Sequence, residues 1–146
     1  MESRIERIPK AMSNKSNGTS KERELCLMLT KWGFWAHRLV DRINGQPFDV
    51  VAVRNGIAVA LDSKICNKGV FLFSRVEPNQ ETAMKLWNER ASSFVGFAIY
   101  DGVVEEWRYL PYDKYVEMKG EGYRQVHASE LCRLENVYCK SVGDRL

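Results

Sequence analysis

No run of apolar residues approaches the ~20 that a membrane-spanning helix requires, which excludes transmembrane function. Histidine is almost absent, with only His37 and His127, far apart in the chain. The four cysteines, Cys26, Cys66, Cys132 and Cys139, form no C-x-x-C pair, so a zinc finger is excluded as well. Met1 to Lys10 carries Arg4, Arg7 and Lys10 with no apolar stretch behind them, unlike a secretory signal. The cysteines therefore read as reduced thiols of a cytoplasmic protein. No internal repeat and no low-complexity tract is visible. Acidic residues are scarce in one region only. From Arg4 to Lys21, the cations Arg4, Arg7, Lys10, Lys15 and Lys21 are set against Glu6 alone.

What remains is globular. A chain of 146 residues suits one domain, and 45% hydrophobic with 28% charged residues is the balance of a packed protein. The net charge of +3 permits a polyanionic partner without demanding one. The stretch Met12 to Ser20 is small, polar and aperiodic, which predicts a flexible basic arm over residues 1–17 and a single domain over 18–146. Such an arm is either a solvated tail or a means of gripping a phosphate backbone by counterion release.

The periodicity predicts a mixed α/β domain in the order α-β-β-β-β-α-β-β, with helices covering a central sheet. Thr19 or Ser20 can cap a first helix, in which Leu25, Met28 and Leu29 repeat at helical spacing and Gly33 ends the pattern. Phe34 to Val40 and Phe48 to Val53 read as strands. Asn55-Gly56 is a strong hairpin signal, and Ile57 to Leu61 is its return strand. Val70 to Phe73 makes a fourth strand. Pro78 opens a second helix bearing Ala83, Met84, Trp87 and Ala91. Phe94 to Tyr100 and Val103 to Leu110 form another hairpin around Asp101-Gly102, followed by a short helix from Pro111 and another over Ser129 to Leu134.

Chemistry concentrates in the first hairpin. With Asn55 and Gly56 as the loop, Arg54 faces Ile57, Val53 faces Ala58, Val51 faces Ala60 and Asp49 faces Asp62. Opposed side chains lie about 4.5–5.5 Å apart at Cβ, where like charges destabilise the pair. The surround is apolar, so two carboxylates there need a compensating charge. Lys64, two residues beyond Asp62, shares their face and supplies part of it. A hard divalent cation such as Mg²⁺ or Mn²⁺ would supply the rest. Three readings fit: a structural ion cluster, an Asp62 at a frayed strand end in water, or a metal-dependent catalytic site.

The run Glu22-Arg23-Glu24-Leu25, Gly33-Phe34 with Arg38, Phe48-Asp49-Val50-Val51-Ala52 and Leu61-Asp62-Ser63-Lys64 resembles the PD-(D/E)XK nuclease superfamily. Within it, the pattern resembles the archaeal-type Holliday junction resolvases. Phe71 to Arg75, Gln80 and Tyr109-Leu110-Pro111 are similar to the RecU resolvases of Gram-positive bacteria and their phages. The likeness spans roughly residues 15 to 115.

The resemblance implies a restriction-endonuclease-like fold and a Mg²⁺-dependent endodeoxyribonuclease, with Mn²⁺ as a possible substitute. It would resolve branched, four-way DNA junctions as a homodimer, in a prokaryotic cell or a phage-infected host. It implies that Asp49 and Asp62 hold the metal and that Glu22 completes the site directly or through water. Lys64 and Gln80 would position the attacking water, and Arg23 and Arg38 the scissile phosphate. Arg4, Arg7, Lys10, Lys15 and Lys21 would add DNA contacts. The chain departs from the pattern at Asp62, where Glu is usual. A related nuclease acting on ends or flaps would share these residues, and a junction-binding protein without catalysis is the reading from another class. Val70–Phe73 and the helix of Met84 and Trp87 are the expected dimer surface. Trp32 and Trp35 are candidates for base stacking or for an interface.

Overall fold

The computed structural model describes residues 10–40 and 47–139, with side chains described from residue 18 onward. Arg4 and Arg7 lie outside the described residues, as do the side chains of Lys10 and Lys15. Helix α1 (Lys10–Lys31) opens the described chain. It starts well before the expected Thr19 or Ser20, so residues 10–17 are helical rather than an irregular arm. Once residues 21–31 are anchored by Leu25 and Leu29, which are fully buried, each preceding residue joins the helix at little cost.

Gly33 (φ +93°) turns the chain into β1 (Trp35–Arg38), followed by β2 (Val50–Arg54) and β3 (Ile57–Cys66). Asn55 (φ +52°) and Gly56 (φ +80°) make the turn between the last two, as a two-residue loop with both residues left-handed requires. The register matches the counting: Arg54 pairs with Ile57, Val53 with Ala58 and Val51 with Ala60. Strand β3 runs past the expected Leu61 because it gains a second partner, β5 (Val95–Asp101), parallel to it from Ala60 to Cys66. The crossover between them holds β4 (Val70–Leu72), a 3-10 turn (Phe73–Arg75) and α2 (Pro78–Arg90). Strand β6 (Glu106–Pro111) returns antiparallel after a turn over Gly102–Glu105.

The C-terminal part departs from expectation. After α3 (Tyr112–Gly120) come β7 (Gln125–His127), a 3-10 turn (Ala128–Glu130), β8 (Cys132–Arg133) and α4 (Leu134–Tyr138). The helix expected over Ser129–Leu134 does not form, because Cys132 and Arg133 pair with the edge of β6 instead. The main sheet has six strands in the order β1-β2-β3-β5-β6-β8, and β4 pairs with β7 in a separate two-stranded sheet.

Helices cover both faces, giving the expected mixed α/β fold. Helices α1 and α4 pack Leu25, Leu29, Leu134 and Tyr138 on Val50, Ala52, Val59 and Leu61. Helices α2 and α3 pack Met84 and Tyr115 on Ala60, Phe97 and Ile99. Phe71, Phe73 and Met84 are buried in this second core, which removes them from the expected dimer surface. Trp87 is half-buried against Phe48, with ring centroids 5.4 Å apart. At Gly96 a Cβ would sit 2.3 Å from the Leu110 carbonyl oxygen and 2.9 Å from the Tyr112 nitrogen, so β5 and the start of α3 meet only over glycine.

Candidate active site

The paired register ends at Val50 and Leu61. Asp49 N–H donates to the Leu61 carbonyl at 3.0 Å, which holds Asp49 against β3 with its carboxyl near that of Asp62. Ser63 N–H donates to Asp49 Oδ2 at 2.7 Å and ties the carboxylate across the strands. Asp62 is 2% exposed. Burial, and then the facing Asp49, push its carboxyl from 3.8 up to about 8, and Lys64 opposes that rise.

Lys64 Nζ sits among three oxygens: Asp62 Oδ2 at 3.2 Å, the Arg75 carbonyl at 3.3 Å and Gln80 Oε1 at 3.4 Å. Asp62 Oδ2 keeps this ion-pair contact but has no aligned hydrogen bond, so a buried lone pair is left over. Gln80, buried at the start of α2, donates Nε2 to Asp62 Oδ1 at 3.1 Å, and its Oε1 accepts the Glu77 N–H at 3.1 Å. That second bond is half of a capping box, with the Glu77 side chain taking the Gln80 N–H in return. The helix cap thus aims the amide. Arg75 Nη1 donates to the Ile65 carbonyl at 2.9 Å and holds the 3-10 turn against β3. Arg75 has no sequence signal for its part here, because it acts through a backbone oxygen.

Glu22 arrives from α1, on the other face of the sheet. It accepts from Arg38 Nη1 at 3.2 Å, and burial followed by the charge of Asp49 raises its carboxyl above the usual range. Glu22, Arg38, Asp49, Asp62, Lys64 and Gln80 therefore converge on one end of the sheet. Arg23 is exposed on α1 with no hydrogen-bond or ion-pair partner among the described residues. Lys21 turns away: it pairs with Glu24 at 3.2 Å and lies 3.8 Å over the Tyr100 ring. His37 stacks on Trp35 with centroids 5.7 Å apart and planes 6° apart, and Trp35 is 65% exposed on the free edge of the sheet.

Among the described residues no group of three His, Cys, Asp or Glu side chains is placed to hold a metal ion. Two facing carboxylates are nevertheless what Mg²⁺ takes, since it keeps most of its waters and binds one or two carboxylates plus phosphate oxygens. The leftover lone pair of Asp62 and the repulsion from Asp49 fit such an ion. Glu22, paired with Arg38, fits contact through water.

A six-stranded mixed sheet with helices on both faces matches the restriction-endonuclease-like fold. The solved structures similar to this chain include two nucleases. One is a Holliday junction resolvase, Hjc, from the archaeon Archaeoglobus fulgidus, with a TM-score of 0.61 and 18% identity over 81% of this chain and 95% of that one. Another is the bacterial homing endonuclease I-Ssp6803I, with a TM-score of 0.55 and 15% identity over 79% of this chain and 77% of that one. No family model and no curated protein matches the chain. No helix among the described residues is long and apolar enough to cross a membrane.

Proposed function

We propose that the protein is a divalent-metal-dependent DNA endonuclease that cuts four-way junctions as a homodimer. The observation that carries the catalytic part is the buried Asp62 facing Asp49, with Lys64 and Gln80 both bonded into the pair. A structural ion cluster would match its charges, whereas here two neighbouring carboxyl groups share one ammonium. Asp49 and Asp62 would hold Mg²⁺ or Mn²⁺, which supplies charge neutralisation at the phosphodiester and acidifies a water.

The protein's own groups do the rest. Lys64, fixed by its three oxygen contacts, holds an ammonium beside the carboxylates, where it orients the attacking water and offsets charge on the phosphate. Gln80 keeps Lys64 and Asp62 in register. Arg38 presents a guanidinium to the phosphate while Glu22 holds it in place. In-line attack leaves a 5′-phosphate.

Junction specificity draws support from the likeness to a resolvase, and the dimer from symmetry. Two strands related by a two-fold axis need two sites, which an isologous dimer provides. The test is a synthetic four-way junction with Mg²⁺, against a linear duplex of the same arms. Paired nicks at symmetric positions support the proposal. Equal cutting of the duplex favours an endonuclease of another kind, and cutting only at free ends or flaps favours that class. Tight junction binding without any nicking leaves a binding protein.

A further inference from the structure

A cleft of about 760 Å³ opens between the 3-10 turn at Phe73–Arg75 and the loop from α3 to β7, lined by Leu72, Ser74, Lys119, Tyr123, Arg124 and Gln125 among others. One of its walls is the 3-10 turn whose last residue, Arg75, offers its carbonyl to Lys64 Nζ. Its far wall is held firmly. Phe73 N–H donates to the Arg124 carbonyl at 2.9 Å, Leu72 pairs with Gln125, and Tyr123 N–H donates to the Met118 carbonyl at 3.0 Å. Gly122, at φ +95°, makes the reversal that presents Tyr123 and Arg124 outward.

The lining has a definite chemistry. Lys119 is already engaged by Glu81 at 3.1 Å. Arg124 is exposed, and its guanidinium has no partner among the described residues. Beside it Tyr123 is 55% exposed, and Leu72 across the cleft is 45% exposed. An uncommitted guanidinium next to an open phenol ring, with the Ser74 hydroxyl and Gln125 amide at hand, suits one nucleotide: phosphate on the cation, base on the ring. A base inside a continuous duplex must first break its stacking to reach such a ring, at an energetic cost.

Resting on the nuclease reading above, we propose that this cleft takes an unstacked nucleotide of the DNA strand beside the cleavage point, with its base on Tyr123 and its phosphate on Arg124. The site would then favour branched over continuous DNA, because a base at a branch or an opened end leaves the stack at the least cost.

The test measures binding in EDTA, where metal-dependent hydrolysis is stopped, by anisotropy on a four-way junction and on a linear duplex of the same arms. Tyr123→Ala should weaken junction binding about tenfold, or about 1.4 kcal/mol, and duplex binding less than twofold. Tyr123→Phe should keep the junction affinity. Arg124→Ala should lower the slope of log affinity against log salt by about 0.9. In parallel, 2-aminopurine placed at each nucleotide flanking the nick should show one position whose fluorescence is quenched by wild type but not by Tyr123→Ala.

Unchanged junction binding by Tyr123→Ala, or an equal loss on duplex, overturns the subsite while leaving the nuclease reading intact. A change in oligomeric state without a change in DNA binding overturns it too and makes the cleft a protein contact. Failure of the wild-type protein to bind or nick any DNA removes both proposals together.

Discussion

Gln80 donates its side-chain amide to Asp62 Oδ1 at 3.1 Å, joining the first turn of α2 to the buried acid on β3. Its other amide atom, Oε1, faces Lys64 and the Glu77 N–H. One side chain therefore couples the helix cap, the acid and the lysine. Gln80→Ala should remove that coupling and reduce DNA cleavage about 10–100-fold, the range seen when an orienting partner is lost. Gln80→Glu should not rescue it, because the carboxylate cannot donate to Asp62. Wild-type turnover by Gln80→Ala under single-turnover conditions would show that the amide serves only the helix cap.

Asp49→Asn and Asp62→Asn should each abolish cleavage with junction binding retained, and Lys64→Ala should do the same. The basis is the opposed carboxylates with one ammonium among them. Nicking at the wild-type rate by any two of the three would remove the site from this place in the fold.

Much of this site is legible in the sequence because it is local. Asn55-Gly56 admits one tight turn, and counting outward from it gives the register as far as Val50 and Leu61, with Asp49 and Asp62 the next residue on each strand. Gln80 and Lys64 follow from the motif. What the sequence hides is set by distant pairing. Val70–Leu72 finds Gln125–His127, more than fifty residues on, and that pairing brings together the walls of the cleft lined by Leu72, Ser74 and Tyr123 to Gln125. The aromatic run Phe71 to Phe73 has the composition of an interface, yet the same pairing turns Phe71 and Phe73 into the core. Arg75 contributes through its carbonyl, which no side-chain pattern can announce.

Asp62 links stability to pH. Its carboxyl titrates at about 8 in the folded protein against about 4 in the unfolded chain. A raised acid stabilises fully below its unfolded value, and that contribution is lost as pH rises toward the folded value. From pH 5 to pH 8 the metal-free protein should therefore lose stability, by up to about 1.4 kcal/mol per pH unit from this group. Asp62→Asn should flatten the profile and be the more stable protein at pH 8. Urea unfolding in EDTA at pH 5, 6, 7 and 8 measures it, and parallel profiles for the two proteins would contradict the buried, protonated acid. Mg²⁺ should bind more tightly as pH rises over the same interval, since the ion must displace that proton.

Gly96 tests the frame that positions the site. The Cβ of an alanine would meet the Leu110 carbonyl oxygen at 2.3 Å and the Tyr112 nitrogen at 2.9 Å, both backbone atoms that cannot rotate away. Strand β5 would have to part from β6 or α3 would have to shift, at a cost at the upper end of the roughly 1–3 kcal/mol typical of overpacking. Because β5 also pairs with β3 from Ala60 to Cys66, the disturbance reaches Asp62 and Lys64. Gly96→Ala should therefore lower the urea midpoint and reduce cleavage together. Val103→Ala, on an exposed turn at the other end of the same strand, should change neither. An unchanged urea midpoint for Gly96→Ala would mean that β5 and α3 do not meet as closely as described here.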